Sequence, residues 1–217
     1  SSKLIPMYGR IIHDIDGSTR FMPYGRPDQY INSVSRSELN ILLMTEAEKT
    51  DRIRILFQHS CSGMDLESGT VFITNEVNGD QVTLQGTPVI AADGSGSAVR
   101  ESMIESGHIS GSFDPLGHSY KELSIPPDKS DEFQLEPNAL HIWPRGKFML
   151  IALPNMDRSF TVTLFLPNTG DISFSTVRSL DDLNSLFEKN FPDIFELMPS
   201  LKTDYFSNPT GKLGTVR

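Results

Sequence analysis

Three short strand-like runs joined by turn residues constrain this chain more than any other feature. They are Ala139–Trp143, Phe148–Leu153 and Ser159–Leu166, separated by Pro144-Arg145-Gly146-Lys147 and Pro154-Asn155. Such spacing predicts an antiparallel meander inside a region that is strand-rich from Ser119 onward. Side chains alternate between faces, so Met149, Ile151 and Leu153 share one face of their strand. By the same parity His141 and Trp143 lie on the face opposite Leu140, and both are read as structural.

The rest of the chain supplies other elements. Asp16-Gly17-Ser18 between Arg10–Ile15 and Thr19–Tyr24 predicts a β-hairpin. A two-residue turn would send Arg10 and Tyr24 to opposite faces. A three-residue turn pairs Ile15 with Thr19, Arg10 with Tyr24, Ile12 with Met22 and Asp14 with Arg20. The second is expected, because it groups apolar with apolar and acid with base. Ser35-Arg36-Ser37-Glu38 has capping-box spacing ahead of a helix with Leu39, Leu42, Leu43 and Ala47 on one face. Strands are predicted over Arg52–Phe57, Thr70–Thr74 and Gln81–Leu84, with Asn78-Gly79 as the turn between the last two. Pro88–Ala92 is apolar throughout, as a buried strand would be. Asp93-Gly94 breaks it, and Ser97 is placed to cap a short helix through Val99 and Met103. Leu180–Asn190 predicts a helix with Leu183, Leu186 and Phe187 inward.

This order gives a mixed α/β (α+β) chain, with an antiparallel or mixed sheet, helices and interleaved domains. The boundaries read are residues 1–30, 31–110, 111–200 and 201–217.

Composition narrows the function classes. Hydrophobic residues make up 37% and charged residues 22%, with a net charge of −9 and no dense basic cluster. A nucleic-acid partner is therefore not expected. No apolar run approaches membrane-spanning length and no signal core begins the chain, so no membrane contact and a cytoplasmic location are expected. One cysteine, Cys61, forms no internal disulfide. Scattered histidines lack zinc-like spacing, and no Gly-x-Ser-x-Gly elbow or complete Gly-x-Gly-x-x-Gly fingerprint is present.

The best local signal is Asp93-Gly94-Ser95-Gly96-Ser97-Ala98-Val99-Arg100. A carboxylate here accepts sugar hydroxyls, glycine admits a ligand to the backbone, and a helix start offers amides to phosphate. An ordinary strand–turn–helix junction has the same composition.

Longer blocks are more specific. Asp-Gly-x-x-Ser-x-x-Arg resembles the internal fingerprint of FAD-dependent aromatic hydroxylases. Tyr120–Pro127, Glu136–Arg145, Ile151–Asp157 and Arg158–Phe165 resemble the kynurenine 3-monooxygenase family within that group. The likeness runs from Ile5 to the end, weakest over 51–86 and 167–181. It implies FAD as cofactor, NADPH as reductant, and hydroxylation of L-kynurenine to 3-hydroxykynurenine. It also implies that the glycine fingerprint lies before Ser1, and that a Gly-Asp flavin motif and further substrate residues lie beyond Arg217. Alone, the chain is then expected to be colourless, not to oxidise NADPH, and to self-associate through its exposed seam.

Residue by residue, the resemblance implies that Arg10 binds the substrate carboxylate, with Tyr24 beside it. Leu140, Met149, Ile151, Leu153 and Phe165 form the apolar pocket wall. Arg36, Cys61, Asp93 and Gly94 are implied as cofactor contacts. Taken without the family, Arg10 reads as a solvated strand charge, Arg36 as a surface arginine near Glu38, Tyr24 and the apolar wall as packing, and Cys61 as a small buried thiol. The rival functions are another aromatic-acid hydroxylase and a non-catalytic binding domain without flavin.

Overall fold

A computed structural model describes residues 4–86 and 88–217. In chain order the elements are β1 (Ile5–Met7), β2 (Gly9–His13), β3 (Thr19–Pro23), β4 (Ile31–Ser33), α1 (Arg36–Glu48), β5 (His59–Asp65), β6 (Thr70–Asn75), β7 (Gln81–Gln85) and α2 (Ala98–Glu105). They continue with β8 (Phe113–Ile125), β9 (Ala139–Arg145), β10 (Phe148–Pro154), β11 (Phe160–Pro167), α3 (Leu180–Asn190), α4 (Pro192–Phe195), α5 (Leu201–Ser207) and β12 (Thr210–Val216). The fold class is mixed α/β. The chain divides into two units. One comprises the described residues through Leu42 together with Leu116–Leu213, and the other Leu43–Pro115 with Gly214–Arg217.

The first unit is organised by a seven-stranded sheet of order β12-β8-β11-β10-β9-β2-β3. The expected meander is its centre: β9, β10 and β11 pair antiparallel, and β8 adds to β11. Strand β2 joins β9 in parallel, with Arg10 opposite Leu140 and Ile12 opposite Ile142. One face of the sheet carries Leu123, Trp143, Leu150, Ala152, Val162 and Leu164, all buried. Helices α3 to α5 supply Leu183, Phe187, Ile194, Leu201 and Tyr205 to the same core. Each Val, Leu, Ile or Phe side chain among them contributes about 1.5–3 kcal/mol by leaving water. Helix α3 begins on a complete capping box between Ser179 and Asp182, which fixes where its apolar stripe starts. Its inward residues are those predicted.

The hairpin β2–β3 forms in a register different from the expected one. Arg10 pairs with Met22, Ile12 with Arg20 and His13 with Thr19. The connection is the five-residue loop Asp14–Ser18, not a three-residue turn. Asp14 N–H donates to the Ser18 carbonyl at 2.9 Å, and the Asp16 carboxylate accepts from Ser18 N and Oγ. Asp16 thus closes the loop with its own side chain, a competitor to the tight turn. The slip is two residues, so parity survives and Arg10 and Tyr24 share a face. The Arg10 guanidinium carbon lies 5.3 Å from the Tyr24 ring centroid. Gly9 is required where β2 and β3 meet, since a Cβ there would lie 2.4 Å from the Met22 carbonyl oxygen.

The second unit contains the antiparallel sheet β5-β6-β7 and helix α2. Asn78-Gly79 makes the expected turn, with Gly79 at φ 77°. Ser97 caps α2 by accepting from Arg100 N at 3.0 Å. Two predicted strands are absent. Arg52–Phe57 lies between Asp51 and Gln58, both in the left-handed region, and pairing begins only at His59 opposite Asn75. Pro88–Ala92 pairs with nothing among the described residues, and Ile90 is 87% exposed. Apolar runs reveal a demand for burial but not the partner that would satisfy backbone hydrogen bonds. Helix α1 forms as expected, but Leu39, Leu42 and Leu43 are exposed. Among the described residues no helix is long and apolar enough to cross a membrane.

Candidate functional site

The face of the seven-stranded sheet turned away from the helical core is open, and it collects most of the predicted site residues. Leu140, Ile151, Leu153 and Phe165 are half-buried there, and Met149 is 39% exposed. Their strands hold them in register: Met149 faces Phe165 and Ile151 faces Ile142 across neighbouring strands. Arg10 extends this face because β2 pairs with β9, placing it opposite Leu140. Tyr24 lies against Arg10, and its hydroxyl is buried without a hydrogen-bond partner among the described residues. A buried phenol that lacks a partner is costly, so the spot suits a ligand acceptor. The face therefore offers a cation and a free hydroxyl beside an apolar floor.

A cleft of about 670 Å³ opens nearby in the same unit. Leu153, Thr161 and Thr163 form part of its lining, with Ser33, Asn155 and Arg36. The Arg36 side chain is 73% exposed and forms an ion pair with Glu122. Its position at the start of α1 favours negative charge. Glu122, Asn155 and the two threonines were not predicted. The available signal was strand parity, which sets Glu122 opposite in sense to buried Lys121 and Leu123.

Cys61, Asp93 and Gly94 belong to the second unit. Cys61 sits on β5 at an irregularity before Gly63, its thiol 3.6 Å from the Gly63 carbonyl oxygen. Asp93 turns toward the start of α2. The Ser97 hydroxyl foremost, against a small cost of burial, holds its carboxyl below the usual range. The anion-binding amides of this helix start are thus partly occupied by the protein's own side chains. Gly94, at φ 79°, has open space where a side chain would stand.

The sequence is 44% identical over 98% of its length to a kynurenine 3-monooxygenase of Myxococcus xanthus (strain DK1622), and 42% identical over 98% to that of Dictyostelium discoideum. Across nearly its whole length the chain is similar to kynurenine 3-monooxygenases. It spans 46% of the length of each of these relatives. No protein-family model matches it. Among solved structures it is similar to 2-methyl-3-hydroxypyridine-5-carboxylic acid oxygenase. That match has a TM-score of 0.70 at 17% identity, covering 99% of this chain and 54% of the other. It is also similar to the myxobacterial chondrochloren halogenase, an FAD-dependent halogenase, with a TM-score of 0.58 at 11% identity, covering 100% and 49%. Those two likenesses establish a shared fold.

The core face of the sheet carries a polar cluster beneath Arg10. His13 Nε2 lies 2.9 Å from His141 Nδ1, and His141 Nε2 lies 2.9 Å from the Glu136 carbonyl oxygen. His13 Nδ1 is 3.2 Å from an Asp193 carboxylate oxygen, which also accepts from Trp143 Nε1 at 2.7 Å. Burial pushes the His141 imidazole down to about 4. Burial also works against the Asp193 charge, but hydrogen bonds from His13 and Trp143 overcome it and hold that carboxyl below its usual range. His141 and Trp143 are thus inside the core, on the face predicted for them. The involvement of His13 and Asp193 was not predicted, because nothing local joins positions so far apart.

Proposed function

We propose that the complete protein is an FAD- and NADPH-dependent monooxygenase that hydroxylates L-kynurenine to 3-hydroxykynurenine. The observation that carries this reading is the open sheet face. There Arg10 and the unpartnered Tyr24 hydroxyl adjoin the wall formed by Leu140, Met149, Ile151, Leu153 and Phe165. Such a face suits an amino acid with an aromatic ring. The guanidinium and phenol hold the carboxylate, and the apolar wall takes the ring.

The residues fit a flavin. The mouth of the Arg36 cleft combines hydroxyl and amide groups with a guanidinium already matched to an anion, Glu122. Arg36 would hold an anionic part of the cofactor. Cys61, Asp93 and Gly94 are proposed as cofactor contacts in their own unit, the open space at Gly94 leaving room for a ligand. The substrate-binding part is assigned to residues 1–30 and 111–200 and the flavin-binding part to 31–110; residues 201–213, expected to return toward the flavin part, belong to the unit of the seven-stranded sheet. When bound and reduced by NADPH, the flavin supplies the activation of oxygen. The chain's own contribution is to fix the ring by its carboxylate at one end and to exclude water along the apolar wall.

Oxidation of NADPH by the complete enzyme should be coupled to 3-hydroxykynurenine formation when L-kynurenine is added. Other aromatic acids should give little coupled product. Equal coupling with an unrelated aromatic acid would overturn the substrate assignment. Absence of flavin-dependent NADPH oxidation would overturn the reaction.

A further inference from the structure

We infer that Tyr8 and Tyr30 form the subsite for the α-ammonium of the substrate, an inference that rests on the proposed role of Arg10 at its carboxylate. Two strand ladders converge on Tyr8. Gly9 pairs with Pro23 in the β2–β3 hairpin, and the Tyr24 N–H donates to the Tyr8 carbonyl at 3.0 Å, so Tyr8 stands opposite Tyr24. Met7 pairs with Ile31 between β1 and β4, so the next position along sets Tyr8 against Tyr30. The Tyr8 and Tyr30 ring centroids are 5.5 Å apart, with their planes tilted by 60°. Tyr8 precedes Arg10 by two residues. Both are exposed, whereas Gly9 between them is buried, so they share the open side of the strand. The carboxylate end of the pocket thus gathers three tyrosines around one guanidinium.

Core packing does not account for the pair. Tyr8 is 40% and Tyr30 52% exposed, in a unit whose core aromatics Trp143 and Phe160 are fully buried. The three tyrosines are not equivalent either. The Tyr24 ring already faces the Arg10 guanidinium. Among the described residues no lysine or arginine lies over Tyr8 or Tyr30, so their faces are available to a cation from outside the chain. An α-amino acid carries its ammonium on the carbon next to its carboxylate. Holding the carboxylate at Arg10 and Tyr24 therefore brings the ammonium to the neighbouring positions of the same strands. The wall beside them is apolar, and Glu122 of the same sheet is engaged by Arg36. An aromatic face attracts a cation through its quadrupole, more strongly once water is excluded. Arg10 accepts any aromatic acid, and the tyrosine pair selects amino acids among them.

The test compares two ligands in the complete enzyme by equilibrium titration: L-kynurenine, and its desamino analogue, which keeps the carboxylate and ring but lacks the α-amino group. Tyr8→Leu should weaken L-kynurenine about tenfold, the scale of a desolvated cation on an aromatic face, and the analogue by less than about twofold. Tyr8→Phe keeps the ring and should recover most of the loss. Should Tyr8→Leu fail to fold, Tyr30→Leu carries the same comparison from a different segment. A variant that weakens both ligands equally, or neither, overturns the inference. So does a Tyr8→Phe as weak as Tyr8→Leu. Asp28 lies in the loop between Tyr24 and Tyr30 and is exposed. If Asp28→Asn abolishes the preference for L-kynurenine over the analogue, a carboxylate holds the ammonium and the aromatic subsite falls. Arg10→Ala should weaken both ligands alike, since both carry the carboxylate. If it weakens neither, the proposed site falls and the aromatic subsite with it. A clear Arg10 effect without a Tyr8 or Tyr30 effect overturns the aromatic subsite alone.

Discussion

The two faces of the seven-stranded sheet are made by the same strands from similar side chains, yet they differ in what covers them. Leu150, Val162 and Leu164 are sealed by α3 to α5, while Met149, Ile151 and Phe165, their immediate neighbours in sequence, remain partly open. Alternation separates the two sets but does not say which is core and which is wall. That distinction comes from the capped helix α3 arriving late in the chain. An apolar pattern is therefore a statement about two surfaces, and a second element decides the use of each.

The largest effect should come from the sealed face. Leu164→Ala should cost about 2–5 kcal/mol by urea denaturation, against less than about 1 kcal/mol for Ile151→Ala. Equal losses would mean that the open face is packed as tightly as the core. Acid should sharpen the contrast further, because the core face hides His141. Its imidazole is held down to about 4, from 6.5, by burial above all. As pH falls below 6.5 the unfolded chain takes up a proton that the folded chain refuses until about 4. Stability should therefore drop across this window, by up to roughly 3 kcal/mol. Replacing His141 by Gln should flatten this pH dependence, and an unchanged slope would assign it elsewhere.

On the open face the expected effect is on binding and not on stability. In the complete enzyme Arg10→Ala should weaken L-kynurenine binding by roughly 1.5–3 kcal/mol, with the urea midpoint little changed. Arg10→Lys should recover only part, since lysine lacks the planar fork. A titration that finds unchanged affinity would remove Arg10 from the site. The smallest effect belongs to the seal itself. Ser179→Ala removes the cap of α3 and should cost about 1 kcal/mol in the same denaturation assay, without altering ligand affinity.

What the sequence disclosed follows from the range of the interactions involved. The meander, the inward face of α3 and the cap at Ser97 are written in neighbouring residues, and all formed as expected. The parallel pairing of β2 with β9 was invisible, since it joins residues far apart through backbone atoms that carry no sequence signature. His13 and His141, separated by 128 positions, were hidden for the same reason. At the candidate site, the shared face of Arg10 and Tyr24 was legible because parity tolerates a two-residue slip. The register itself was not, because the Asp16 carboxylate competes with the backbone for the turn. Pro88–Ala92 departs in the opposite direction: its apolar composition supplies no strand partner among the described residues.

Gly9 carries a consequence for how this surface can change over generations. A methyl group there would run into the Met22 carbonyl and the Phe21 ring, at 2.4 and 2.6 Å. Any replacement would lever β3 away from β2, and with it the approach to Tyr24. Mutational drift is thus closed at the residue next to Arg10, while the neighbouring wall of aliphatic side chains stays open to substitutions of similar volume. A lineage adapting to a different ring would be steered toward the wall, and the carboxylate end would be inherited almost unaltered.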